Sequence, residues 1–188
     1  MTTSHAPDLV DAPPWSIRPE LPVDLDQIHE VHRQAFRGPT EAELVDAVRA
    51  GADFVPELSL VAVSPDGSVL GHVLVSRVAF APDPDGSPRV DALALAPLAV
   101  LPHHQGRGIG SALVREVLAT IDRRDEVLVA VLGLPSFYER FAFTSASDAG
   151  VHSPYDDAGP AFQVRAVCDR AITAGSVVYP AMFEADST

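Results

Sequence analysis

The order of hydrophobic and polar positions predicts a chain that alternates between strands and helices. Residues 15–21 alternate in the manner of a strand, and apolar residues then recur at helical spacing over 25–36. Asp24 stands where it would cap this helix. Residues 40–51 have the pattern of a second helix, and the Thr-x-x-Glu sequence at its start predicts a capping box.

The middle of the chain predicts a hairpin followed by an irregular strand. Residues 58–64 and 69–80 are β-rich runs joined by Ser-Pro-Asp-Gly-Ser, which favours a turn. Residues 81–89 have the composition of a loop, and 90–100 that of a further strand. Pro97 lies inside this strand and cannot donate to a ladder, so we expect a bulge or an edge there.

The second half predicts a parallel βαβ unit. A helix with one apolar face is expected over 109–121, followed at 126–134 by a continuous apolar run typical of a strand buried on both faces. Residues 135–143 predict a short helix that begins at a proline. Residues 161–167 and 175–183 predict two further strands.

Composition favours one soluble globular domain. The chain has 188 residues, of which 47% are hydrophobic and 21% charged, and no apolar run has the length of a membrane helix. Residues 1–14 lack the basic and apolar regions of a signal peptide, so we expect a disordered N-terminus, a single domain over 15–188 and a cytoplasmic location. Cys168 is the single cysteine, which excludes a disulfide framework and argues against a metal cluster.

The charged residues of the chain limit the classes of partner and mechanism that are compatible with it. A net charge of −13 argues against nucleic-acid binding, which requires a basic face. Residues 103–124 are an exception, with four arginines against two acidic residues, as suits either a small anionic ligand or a solvated helix face. The chain contains no lysine, so mechanisms that need a lysine Schiff base or a Walker lysine are excluded.

The segment His-His-Gln-Gly-Arg-Gly-Ile-Gly-Ser, residues 103–111, has glycine at every second position where the predicted strand leads into a helix. Such a loop leaves backbone N–H groups free at the positive end of a helix dipole, which suits a phosphate. A dinucleotide fingerprint fails because Ser111 or Leu113 stands where its third glycine belongs. A loop that only turns the chain is also compatible with the glycines alone.

The segment resembles the coenzyme A signature of the GNAT superfamily of N-acetyltransferases. The family pattern Q/R-x-x-G-x-G/A is present as Gln105, Gly108 and Gly110. The later Phe-Tyr-Glu-Arg-Phe-Ala-Phe resembles the family's Y-x-x-x-G-F, with Tyr138 aligned and Ala142 where glycine is usual. The resemblance covers about residues 15–167, and the C-terminal segment looks like that of bacterial single-domain members.

The resemblance implies a mixed α/β fold and a donor site. We expect a central, mostly antiparallel sheet, flanked by helices, with a splayed parallel pair at about 91–100 and 126–133. Acetyl-CoA is then the expected co-substrate, with no metal. Its pantetheine arm would lie between the splayed strands and its pyrophosphate on the glycine loop. The implied contacts are Leu98, Ala99, Val100, Gln105, Gly106, Arg107, Gly108, Ile109, Gly110, Ser111 and Gly133.

The resemblance also implies a chemistry of direct attack by an amine on the thioester. Tyr138 is the expected acid for the departing thiolate, although its spacing also suits a packed aromatic. The N–H of Leu98 or Ala99 is expected to stabilise the oxyanion. Arg107 and Arg115 are each compatible with added charge or with a solvated surface.

The general base is left open by the sequence. Glu30, His32, Glu41 and Asp91 are candidates, and each also fits a surface or capping position.

The sequence is compatible with three functions. The first is an N-acetyltransferase for a small-molecule or peptide amine, acting as a monomer or homodimer without nucleic acid or membrane. The second is an acyl-CoA-binding sensor without turnover, favoured by the absence of an obvious base and by Ala142. The third is a nucleotide-binding module.

Overall fold

A nine-stranded sheet forms the centre of the described part of the fold. The computed structural model describes residues 14–83, 87–168 and 170–183, so the segment predicted to be disordered lies, except for Pro14, outside the described residues. The strands are β1 (Ser16–Pro19), β2 (Phe54–Val63), β3 (Val69–Pro82), β4 (Val90–Val100), β5 (Leu128–Leu132), β6 (Thr144–Ser145), β7 (Val151–His152), β8 (Phe162–Ala166) and β9 (Gly175–Val178). The helices are α1 (Leu25–Phe36), α2 (Thr40–Ala50), α3 (Ile109–Ile121) and α4 (Pro135–Tyr138).

The predicted mostly antiparallel sheet is confirmed. The strands lie in the order β1-β2-β3-β4-β5-β8-β6, and β9 pairs with β3 and β7. The β4–β5 pair is parallel, as predicted, and so is the two-residue β7–β9 pair. The short strands β6 and β7 were not predicted, because two residues leave no periodicity to detect.

The core occupies both faces of the sheet. On one face, α3 packs Leu113, Val117 and Ile121 against β-strand residues such as Leu93 and Leu95. On the other face, the buried residues of α1 and α2 pack against those side chains of β2, β3 and β4 that point away from α3. These alternating sides follow from the two-residue period of a strand. We call the two sides the α3 face and the α1 face.

The predicted bulge lies at Pro97 and separates two strands. Val73 of β3 is opposite Leu98, but Val75 is opposite Leu95, so β4 has one extra residue between these pairs, and the Ala96–Pro97 peptide is cis. The parallel pairing of β4 with β5 ends at Leu95. Beyond the bulge the two strands therefore diverge, which confirms the splayed pair.

Asp24 stands at the N-cap position of α1, as predicted, but neither predicted side-chain cap forms a capping hydrogen bond. The Asp24 carboxylate accepts two hydrogen bonds from Arg18, at 2.6 and 2.9 Å, and one from the Leu21 N–H at 2.8 Å, so it stabilises the preceding turn instead of α1. The cap residue of α2 is Pro39, and no side chain caps this helix. The carbonyl of Pro39 accepts the Glu43 N–H at 2.8 Å, which places Thr40 inside the first turn.

Candidate active site

A cavity of about 1200 Å³ lies where β4 and β5 diverge. The glycine loop, both splayed strands and Tyr138 line it, together with side chains from α1, α2 and the C-terminal segment. The lining residues belong to both faces of the sheet: Leu98 and Tyr138 pack with the α3 face, and Phe183 packs with the α1 face. The cavity therefore connects the two faces through the split in the sheet.

The glycine loop presents a row of free donors to this cavity. Gly106 and Gly108 have φ of +74° and +87°, so both adopt the left-handed conformation that favours glycine. The six successive N–H groups of residues 106–111 donate to no acceptor in the described segments. Because the last three also form the first turn of α3, they lie at the positive end of its dipole. This arrangement suits a pyrophosphate.

Gln105 and Gly110 join the loop to β4. The Gln105 Nε2 donates to the Val100 carbonyl oxygen at 3.0 Å. A Cβ added at Gly110 would lie 3.6 Å from Val100 Cγ2, which is an ordinary contact, so alanine would also fit. Gly110 lines the cavity, as do Gly106, Gly108, Ile109 and Ser111.

The two candidate arginines lie outside the cavity lining. Arg107 is exposed, and Arg115 places its guanidinium 5.6 Å from the centre of the Phe141 ring, on the α3 side. Arg115 thus has a packing role at the helix surface, because a guanidinium over an aromatic face is a favourable contact.

The structure distinguishes between the two oxyanion candidates. The Leu101 N–H donates to the Leu70 carbonyl at 2.9 Å, and the Ala99 carbonyl is directed at Gly71, so both Leu101 and Ala99 use the edge that faces β3. Successive residues of a strand direct their backbone groups to opposite edges. The N–H of Leu98 is therefore directed into the split. Ala99 is buried on the α1 face and does not line the cavity.

Tyr138 is buried in the cavity wall and closely packed. Its side chain is 7% exposed, and its ring contacts Phe137 and Phe143 edge-on, with centroids 4.9 and 5.5 Å away. Burial raises the pKa of Tyr138 to about 12, so the phenol keeps its proton at neutral pH. The hydroxyl has no hydrogen-bond partner in the described part of the chain.

Gly133 supports Tyr138 by its lack of a side chain. A Cβ at this position would lie 2.4 Å from Tyr138 Cε2. The backbone of Gly133 already has protein partners: its N–H donates to the Ala161 carbonyl at 2.9 Å, and its carbonyl accepts from Gln163 Nε2 at 3.1 Å.

Of the four candidate bases, Glu41 lines the cavity and the other three do not. Glu30 is held by Arg33 and Gln34 on the surface of α1, which lowers its pKa to about 2. Asp91 is exposed on β4, away from the cavity. His32 is fully buried.

Sequence reasoning missed the buried polar chain that contains His32. His32 Nε2 lies 2.8 Å from His72 Nδ1, and His72 Nε2 lies 2.8 Å from Ser59 Oγ and 3.2 Å from Glu20 Oε2. Arg49 donates to both oxygens of Glu20. These residues come from α1, α2, β2, β3 and the segment directly after β1, so no local motif could have revealed the chain.

Comparison with known proteins agrees with this geometry. The model of the Acetyltransferase (GNAT) family matches residues 25–143. The chain belongs to the GNAT acetyltransferase family. Among GNAT relatives, the uncharacterized N-acetyltransferase YhbS of Escherichia coli is 33% identical over 156 residues, which cover 83% of this chain and 89% of YhbS. The uncharacterized N-acetyltransferase YjhQ of E. coli is 37% identical over 133 residues, covering 70% of this chain and 71% of YjhQ.

Solved GNAT structures show the same fold. The structure of E. coli YhbS in complex with CoA has a TM-score of 0.80 at 31% identity, covering 90% of this chain and 92% of YhbS. A GNAT acetyltransferase from Brucella melitensis in complex with acetyl-CoA has a TM-score of 0.71 at 34% identity, covering 90% of this chain and 97% of that protein.

No helix in the described residues is long and apolar enough to cross a membrane. The described segments also contain no group of three or more histidine, cysteine, aspartate or glutamate side chains placed to hold a metal ion.

Proposed function

We propose that this GNAT chain transfers the acetyl group of acetyl-CoA to a primary amine within a ternary complex, with Tyr138 as the acid. The row of six free N–H groups at one end of a cavity that extends to Tyr138 carries the proposal. The solved complexes of YhbS with CoA and of the Brucella protein with acetyl-CoA support the choice of donor.

The donor would lie along the split in the sheet. The N–H groups of Gly106–Ser111 would bind the pyrophosphate, and the free edge of β4 after Pro97 would bind the pantetheine arm as an added strand. Leu98 and Val100 direct their backbone toward this split, whereas Ala99 does not. Gly133 would leave room for the pantetheine arm but would not form hydrogen bonds with it, because its N–H and carbonyl are already paired.

The reaction requires an uncharged amine and a proton for sulfur. The ammonium first releases one proton, and the amine nitrogen then attacks the thioester carbonyl while the Leu98 N–H binds the oxyanion. As the C–N bond forms and the C–S bond breaks, Tyr138 gives its proton to the thiolate and regains one from the nitrogen. The products are an amide, the CoA thiol and one proton.

Two measurements test this function. Acetyl-CoA should bind the purified protein, and adding a primary amine should start release of the free thiol. Tyr138→Phe should lower kcat about a hundredfold or more and change the acetyl-CoA Kd less than threefold, because the general-acid contribution is typically of this size. Near-normal turnover by Tyr138→Phe would refute the acid. Tight acetyl-CoA binding without thiol release across many amines would instead favour the sensor.

A further inference from the structure

Four aromatic side chains line the cavity on the α1 face, beside smaller apolar residues of α2 and Met182. Phe36 ends α1, and Tyr155, Tyr179 and Phe183 come from the segments around β7 and β9. With Glu41 and Glu43 of α2, these residues form what we call the far wall. Of the far wall, Phe183 packs with the α1 face, whereas Tyr138 packs with the α3 face on the other side of the split.

Three of the rings are fixed in place by one another. Tyr155 and Tyr179 meet edge-on with centroids 5.1 Å apart, and Tyr179 and Phe183 are 5.3 Å apart. The Tyr155 hydroxyl donates to the Phe183 carbonyl oxygen at 2.9 Å, which ties the two segments together. A ligand would therefore meet a preformed aromatic surface, which reduces the cost of ordering side chains on binding.

Phe36 is the exposed member of this wall. It is 41% exposed although it is a large apolar residue, and its ring lies parallel to that of His32, with centroids 6.1 Å apart. His32 is held in turn by His72, so the position of Phe36 is supported from inside the fold. An exposed aromatic ring in a cavity wall is available to cover an apolar part of a substrate.

The charged groups of the far wall are both carboxylates. Glu41 is half-buried and Glu43 exposed, and neither forms an ion pair with any residue of segments 14–83, 87–168 and 170–183. Arg140 also lines the cavity, but it lies over Phe137, 4.4 Å from the ring centre, and donates to the Phe137 carbonyl on the α3 face. A cation near the aromatic rings would thus meet compensating negative charge and favourable ring faces.

From this wall we infer that the acceptor is a monoamine whose ammonium group is joined by a short chain to an aromatic ring. The ring would pack against Phe36 and the fixed rings, and Glu41 would attract the ammonium. A polyamine or an amino sugar fits less well, because it has no apolar ring to cover the aromatic side chains, and a polar group packed against their carbon atoms would lose its hydrogen bonds to water. This inference rests on the proposed function and names the substrate class of the same site.

An acceptor series tests the inference with acetyl-CoA as donor. We expect kcat/KM for 2-phenylethylamine to exceed that for n-butylamine by about tenfold or more, and that for putrescine by a larger factor, because the buried phenyl ring adds apolar area. Phe36→Leu should reduce the preference for 2-phenylethylamine over n-butylamine at least threefold. Glu41→Gln should raise KM for both monoamines, and Glu116→Gln, an exposed change on α3, should not.

Binding to the CoA-loaded protein separates this inference from the proposed function. If calorimetry shows that 2-phenylethylamine binds more tightly than putrescine but no amine is acetylated, the class of amine that the far wall binds is supported and the transfer activity is refuted. If putrescine binds or reacts as well as 2-phenylethylamine, the acceptor class is wrong while the transferase stands. Failure of 2-phenylethylamine both to bind and to react also overturns the inference.

Discussion

Gly133 and Tyr138 are packed so closely that no side chain fits between them. A Cβ at Gly133 would lie 2.4 Å from Tyr138 Cε2 and 3.0 Å from Cδ2. The ring cannot move freely away, because Phe137 and Phe143 contact it edge-on. The position of the proposed acid is therefore set by a glycine five residues earlier, directly after β5.

Gly133→Ala should displace Tyr138 and reduce activity. We expect kcat to fall at least tenfold and the free energy of unfolding to fall by about 1–3 kcal/mol, as is typical when a packed site receives an extra methyl group. Steady-state kinetics and urea unfolding measure the two effects. Gly38→Ala is the matched control, since a Cβ there has no neighbour within 4 Å. Wild-type kcat in Gly133→Ala would show that the ring position does not matter.

The loop glycines should respond differently to the same substitution. Gly108 has a φ of +87°, so Gly108→Ala should cost about 1–2 kcal/mol in backbone strain and weaken acetyl-CoA binding at least tenfold. At Gly110 a Cβ would lie 3.6 Å or more from its neighbours, so Gly110→Ala should leave the Kd within about twofold. Isothermal titration calorimetry with acetyl-CoA compares the affinities of the two variants. Equal losses of affinity would contradict a cradle formed by the left-handed turn.

The buried histidine pair should make stability depend on pH. Burial lowers the pKa of His32 to about 2 and also lowers that of His72, whereas histidines of the unfolded chain take up protons near pH 6.5. The contribution of the neutral histidines to stability is therefore fully present above about pH 6.5. Below that pH the free energy of unfolding decreases by up to about 1.4 kcal/mol per pH unit for each histidine that stays neutral.

Urea unfolding between pH 7.5 and 5.0 measures this dependence. Burial alone would raise the pKa of Glu20, but hydrogen bonds from His72, Arg49 and Ser59 lower it to about 2, so its contribution is lost only below about pH 4.5. His32→Gln keeps a donor for His72. It should reduce the pH dependence of the free energy of unfolding by the amount that corresponds to the uptake of up to one proton. The exposed His103→Gln is the control. A wild-type protein equally stable at pH 7.0 and 5.5 would exclude a neutral buried pair.

Ala142→Gly should stabilise the protein modestly. Ala142 has a φ of +64°, so it adopts at some cost the left-handed conformation that the family's usual glycine adopts freely. Part of that gain is offset by the greater entropy of glycine in the unfolded chain, and we expect a net gain of up to about 1 kcal/mol. Ala119→Gly, at an exposed site inside α3, should instead lose about 1 kcal/mol. A loss of stability in Ala142→Gly would contradict strain at this turn.

The parts of the fold that depend on local pattern could be predicted from the sequence. The helices α1 to α3 follow their apolar periods, and β2 to β5 follow β-rich or continuous apolar runs, although β2 begins four residues earlier than predicted. Pro97 marks the bulge because proline cannot donate to a ladder. The glycine loop is equally local, because left-handed turns and close approach require glycine itself. Asp24 failed as a cap because Arg18 and Leu21 compete for the same carboxylate.

Only the tertiary structure decided which groups meet. The pairing of β4 with β3 fixes which residues of β4 direct their backbone groups toward β3. As a result, Leu98 and not Ala99 directs its N–H into the split. His32 and His72 are 40 residues apart in sequence, and the far wall collects residues from α1, α2 and the C-terminal segments. A periodic pattern reports the face on which a residue lies, but not its neighbour there. That neighbour depends on strand order and helix packing, which are long-range properties of the whole chain.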